Sequence, residues 1–171
     1  MSTPPADRRL LDTGFSDDNG DAEPALGAAL AAYSADPGRF PEALAELQRS
    51  RVLVPVVALL GEVEYDDQGL AHDKTSDMAA VLLQGNDGRL ALLAFTSLTS
   101  MKAWDPEARP VPVAAAVAAQ SALQDGAAAL LLDVAGPVTL VVDGPDLEGL
   151  ARGWRLARMA GRSSWIRPDQ G

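Results

Sequence analysis

Two apolar runs, residues 78–84 and 89–95, flank Gly85-Asn86-Asp87-Gly88, and no other feature constrains the fold as much. An Asp-Gly pair supplies the positive φ values that a tight turn needs, so the runs are expected to fold back as an antiparallel β-hairpin. That hairpin needs a second layer to cover its apolar face, and the rest of the chain must provide it.

Upstream, Leu26, Leu30 and Tyr33 recur at helical spacing until Asp36-Pro37-Gly38. Pro41 then opens a second helix through Leu44 and Leu47, which predicts a helical hairpin. Residues 51–60 form a β-branched run too apolar for a strand with one wet face, and Pro55 within it calls for an edge position or a bulge. Residues 61–77 read as an acidic loop. Beyond the hairpin, Thr96 or Ser97 can cap a short helix through Met101 and Trp104 that Pro106 and Pro110 end. Residues 114–123 are helical by alanine content and are closed by Asp125-Gly126. Two further strands follow at 129–133 and 138–142. A last helix is expected with Leu147, Leu150, Trp154 and Ala157 on one face.

Hairpins alternate here with helices, without regular βαβ spacing. The fold class is therefore α+β: a single domain with a mixed β-sheet of about five strands and flanking helices, preceded by the helical hairpin. The expected boundaries are a disordered acidic N-terminus at 1–23, the domain at 24–153 and a basic, partly helical tail at 154–171.

Charge follows the same division. Of the net charge of −10, residues 1–23 contribute −4 (two Arg, six acids), residues 24–151 contribute −10 (seven basic, seventeen acidic) and residues 152–171 contribute +4 (five Arg, Asp169). An acidic body repels phosphate backbones, so nucleic acid is argued against except through the tail. The chain has no cysteine, which removes disulfides, thiolate metal sites and cysteine nucleophiles together. Its first residues lack the basic start and apolar stretch of a signal peptide, and no apolar run approaches the ~20 residues of a membrane span. A cytoplasmic, soluble protein is the expectation.

Candidate sites are few. His72 is the only histidine; it could act as a base near Ser97 or as a ligand beside Asp73 and Asp77, but it lacks the partners either role requires. Glu62, Glu64, Asp66, Asp67, Asp73 and Asp77 could hold a hard cation, although their spacing matches no EF-hand loop. No phosphate-loop, dinucleotide, nucleophile-elbow or zinc-protease pattern occurs, and Ser163-Ser164 after Gly161 does not form an elbow. No catalytic set, metal or cofactor is expected. Phe95 and Trp104 place large side chains at a strand-to-helix turn, with Arg109 beyond, where a partner could dock on Trp104 or where the rings are simply core. Arg152, Arg155, Arg158 and Arg162 fall on one helical stripe that could meet an acidic partner, RNA or an anionic surface, or pair with the chain's own acidic body.

Asp87-Gly88-Arg89, Ala94-Phe95-Thr96-Ser97, Trp104, Ala108-Arg109-Pro110-Val111-Pro112-Val113 and Asp133-Val134-Ala135-Gly136-Pro137-Val138 follow one another in an order and spacing that resembles the SseB family. This is the group named for enhanced serine sensitivity, and the likeness is greatest to its actinobacterial single-domain members. The resemblance spans about residues 51–153. It implies an α+β fold and brings no catalytic residue or cofactor with it; some relatives look like members of toxin-immunity systems, which points to protein binding.

The expected function is a non-catalytic cytoplasmic protein-binding module, whose partner is another protein or a second copy in a homodimer. The alternatives are a small-molecule-binding or regulatory domain linked to amino-acid metabolism, as the family name suggests, and an enzyme working through carboxylates and a metal.

Overall fold

Proline opens three of the helices, because its missing N–H costs nothing in the first turn, where that donor has no partner. Pro24 starts α1 (Pro24–Ala35), Pro41 lies in the first turn of α2 (Phe40–Gln48) and Pro145 in that of α5 (Gly144–Ala151). The computed structural model describes residues 15–59, 64–65, 71–72 and 77–168, with side chains throughout except at 57–59, 64–65, 71–72 and 77–79. The helical hairpin is present: α1 ends at Asp36, whose carboxylate accepts the Gly38 N–H at 3.0 Å, and the Tyr33 and Phe40 rings meet edge to face at 5.9 Å.

The strands are β1 (Arg51–Leu59), β2 (Glu64–Tyr65), β3 (Ala71–His72), β4 (Asp77–Ala80), β5 (Leu82–Gln84), β6 (Leu90–Ala94), β7 (Arg109–Ala114), β8 (Ala129–Leu132), β9 (Leu140–Asp143), β10 (Arg155–Met159) and β11 (Arg162–Ile166). Helix α3 (Leu98–Trp104) follows β6, and α4 (Ala115–Gln124) follows β7. The β5–β6 hairpin turns where the sequence predicts, with Gly85 N–H bonded to Arg89 O at 2.8 Å; only Gly88, at φ 82°, takes a positive φ there.

The expectation of one mixed sheet of about five strands is refined into two sheets that meet along a seam. A four-stranded mixed sheet runs β5-β6-β8-β9 with β6 and β8 parallel, and a three-stranded antiparallel sheet runs β4-β1-β7. They join where Leu53 and Phe95 exchange backbone hydrogen bonds of 2.7 and 2.8 Å. Pro55 is on the central strand of its sheet, neither at an edge nor in a bulge. It falls between the Leu53–Phe95 bridge and the β4 ladder that begins at Val56, so its missing donor leaves no bond unmade.

Strand alternation explains the two prolines of β7. Leu53 turns its polar groups toward Phe95, so Val52 and Val54 turn theirs toward Val113 and Val111. Pro110 and Pro112 therefore face the outer edge, where each removes a donor that another strand would need.

One face of the four-stranded sheet, with Leu92, Leu130, Leu132 and Val142, is buried against the helical hairpin, α4 and α5. The alanines of α4 let its backbone lie close to that layer. The opposite face carries a smaller core of Leu53, Leu93, Phe95 and Met101, capped by Trp104.

Two expectations are corrected at the ends of the chain. The last helix does not reach Trp154: Gly153, at φ 67°, closes it, with Trp154 N–H bonded back to Gly149 O at 3.0 Å. The basic tail is consequently no helix but the antiparallel hairpin β10–β11, so Arg152, Arg155, Arg158 and Arg162 share no helical stripe. Residues 15–23 are also ordered, held to the body by Asp18 and Gly20, whereas residues 1–14 lie outside the described residues. Among the described residues, no helix is long and apolar enough to cross a membrane.

Candidate functional site

Parallel strands β6 and β8 end side by side, and a crevice opens beyond their carboxyl ends, the usual place for a ligand in such a sheet. The β8 ladder extends one residue past its end through Asp133 N–H to Ala94 O at 3.0 Å. Asp133 then adopts a positive φ of 52°, which turns its side chain back under β6. There it is 2% exposed. One carboxyl oxygen accepts the Thr96 N–H and the Ser100 hydroxyl, both at 2.8 Å, and the other accepts the Thr96 hydroxyl at 2.7 Å. Burial pushes the Asp133 carboxyl above its ordinary range, against the opposing pull of those donors.

The same turn is held from the other side by Arg51, at the start of β1. Its guanidinium donates to Thr96 O at 2.6 Å, to the Asp21 carbonyl, and in fork fashion to both oxygens of Asp18, with 3.0 Å for the Nη2–Oδ1 bond. Bonding to Arg51 holds the Asp18 carboxyl below its usual value. Ser97, between these contacts, caps α3 in a reciprocal box with Ser100, as the sequence predicts.

Above this floor lies a cleft of about 540 Å³ between α1 and α3. Gly27 and Ala31 form one wall, Thr99 and Ala103 the other, and Gly136 and Pro137, joined by a cis peptide, close the end. The walls are small, and the only carboxyl among the lining residues is Asp133, whose oxygens are already bonded to its own chain. Those bonds come from the Thr96 amide, the Thr96 hydroxyl and the Ser100 hydroxyl. The arrangement can enclose an apolar group and offer it hydroxyls at the rim.

The structure does not gather the sequence-derived candidates at this cleft. Phe95 is fully buried and has no surface to offer a partner; Trp104 is half-buried against it, with ring centroids 5.6 Å apart. Arg109 is exposed at the start of β7. Arg152 pairs with Glu148 at 3.0 Å and lies over the Trp154 ring, Arg158 pairs with Glu42, and Arg155 and Arg162 are exposed on the terminal hairpin. The backbone of His72 pairs with Glu64 across β2–β3, but the side chains of both, and those of Glu62, Asp66, Asp67, Asp73 and Asp77, lie outside the described residues. Among the described residues there is no cluster of metal-binding side chains.

Asp133, Arg51 and Asp18 were not singled out by sequence reasoning. The available signal was a lone charge at the boundary of an apolar run: Arg51 opens Val52-Leu53-Val54, and Asp133 closes Leu130-Leu131-Leu132.

Two of the sequence words quoted for the family, Phe95-Thr96-Ser97 and Asp133-Val134-Ala135-Gly136-Pro137-Val138, thus meet in space at the floor of the cleft. The family model for the SseB protein N-terminal domain matches residues 26–149. No curated protein and no solved structure matches the chain.

Proposed function

The chain belongs to the SseB family, and from that premise we propose that it is a non-catalytic, cytoplasmic protein-binding module that receives part of its partner in the cleft between α1 and α3. One observation carries this reading: the cleft is roomy and small-walled, while the only carboxyl at its floor is consumed in holding β6, α3 and β8 together. A site built this way supports shape recognition and lacks a group poised for proton transfer. The absence of cysteine supports the cytoplasmic assignment.

A photo-crosslinking amino acid at Thr99 should capture one partner protein in the native cell, and Ala103→Trp, which fills the cleft, should abolish that capture while leaving the fold intact. Unchanged capture by the Ala103→Trp protein overturns the reading.

The cleft volume favours a second reading, since about 540 Å³ falls within the range of small-molecule sites. Thermal shifts against amino acids and nucleotides separate the two. A small ligand at 100 times its dissociation constant adds about 2.7 kcal/mol, and that gain should vanish in Ala103→Trp.

A further inference from the structure

The terminal hairpin lies beyond residues 26–149 and has two unlike faces. Leu156 and Trp165 of the inner face pack on the main core, where the Trp165 indole donates to Asp146 at 2.9 Å and Arg158 reaches Glu42. Gly149 makes this docking possible, because a Cβ there would stand 2.2 Å from the indole. Alternation puts Arg155, Met159, Arg162 and Ile166 on the outer face. Register sets Arg155 beside Ile166 and Met159 beside Arg162, so each end of the face carries one cation and one aliphatic side chain. Met159 is 69% exposed and Ile166 38%. Among the described residues, neither Arg155 nor Arg162 has a carboxylate within ion-pair distance, unlike Arg152 and Arg158.

We propose that this outer face binds an extended acidic segment of a partner protein, in which two carboxylates at i and i+4 and an aliphatic side chain at i+2 share the face turned to the hairpin. Charge complementarity names the occupant. Residues 152–171 carry +4 in a chain of net charge −10, so the two guanidiniums without a carboxylate partner among the described residues select carboxylates. Met159 and Ile166 favour a polypeptide over a phosphate backbone, which makes no use of aliphatic contact, and the acidic body opposes approach to an anionic membrane. Arg162 lies across from Met159, four residues along from Arg155, so the two cations are offset by about 13 Å along the hairpin and match acids at i and i+4 of an extended peptide. This surface is distinct from the cleft and stands whether or not the cleft binds.

The test is an amide-resolved NMR titration of the full chain at low salt with a peptide of sequence Thr-Glu-Thr-Val-Thr-Glu-Thr, whose two glutamates and valine share one face when extended. The expected result is shifts confined to residues 155–166, with affinity about tenfold weaker for Arg155→Gln/Arg162→Gln, weaker also for Met159→Ser, and nearly unchanged for Arg109→Gln. The same peptide with lysine in place of glutamate should not bind. Absence of binding at millimolar peptide, shifts centred on α1 and α3, or tighter binding of decauridylate or phosphatidylserine vesicles to the hairpin would overturn the proposal.

Discussion

Thr96 is gripped from two directions, and comparing the grips shows two ways to bury polar groups at one turn. On one side Arg51, 5% exposed, holds the Thr96 carbonyl and is paired with Asp18. On the other, Asp133 holds the Thr96 amide and hydroxyl with no ion-pair partner among the described residues, relying on Ser100 for its remaining bond. The first is a compensated ion pair that reaches 33 residues along the chain; the second is an acid solvated by hydroxyls. Their carboxyls respond oppositely, with Asp18 lowered by Arg51 and Asp133 raised by burial. The difference teaches that one turn can be held both by a carboxyl paired with a cation and by a carboxyl whose burial is offset by three hydrogen-bond donors.

Removing the cation should do the most damage. Arg51→Met leaves Asp18 and two backbone carbonyls without their donor, and chemical denaturation should register a loss of about 4 kcal/mol. Asp133→Ala orphans three donors and puts alanine at a positive φ, for a loss of about 3 kcal/mol. If the two losses were equal, the distinction between charged and hydroxyl-based grips would carry no energetic meaning. Thr96→Val keeps the amide bond and loses only the hydroxyl, so about 1 kcal/mol is expected.

A pH series of the same denaturation experiments sharpens the contrast further. Because the folded pKa of Asp133 lies above the ordinary value of 3.8, the native state binds its proton first, and this group makes the protein less stable as pH rises from about 4 through that pKa. Asp18 is the reverse: its contribution is full above the unfolded value and is lost as pH falls below about 4 through its depressed pKa. Asp133→Asn should erase the first trend and Asp18→Asn the second. The half-buried Glu42 and the exposed Asp87, also lowered, steepen only the acid limb.

Local chemistry was legible in the sequence wherever it decides the outcome. Ser97 as a cap, Asp36-Pro37-Gly38 as a helix stop and residues 85–88 as a hairpin turn each depend on neighbours within a few positions. Pro55 misled because its permission comes from a change of partner strand, which is a tertiary fact. The tail misled because Arg, Leu, Ala and Met favour a helix by propensity, while Gly153 and the two-residue loop at Ala160-Gly161, both at positive φ, impose a hairpin. The floor of the site stayed hidden for a related reason. Asp133 and Arg51 become partners of Thr96 only when β1, β6 and β8 converge, and no spacing rule links residues 33 to 45 apart.

The contact between Gly149 and Trp165 carries an implication for modularity. The indole occupies the space that any side chain at 149 would fill, so the part of the chain that matches the family bears the imprint of an element outside the match. Grafting β10–β11 onto another SseB domain should therefore succeed only where that acceptor has a glycine at the corresponding helical position. A relative with a bulkier residue there must seat its own C-terminal segment elsewhere.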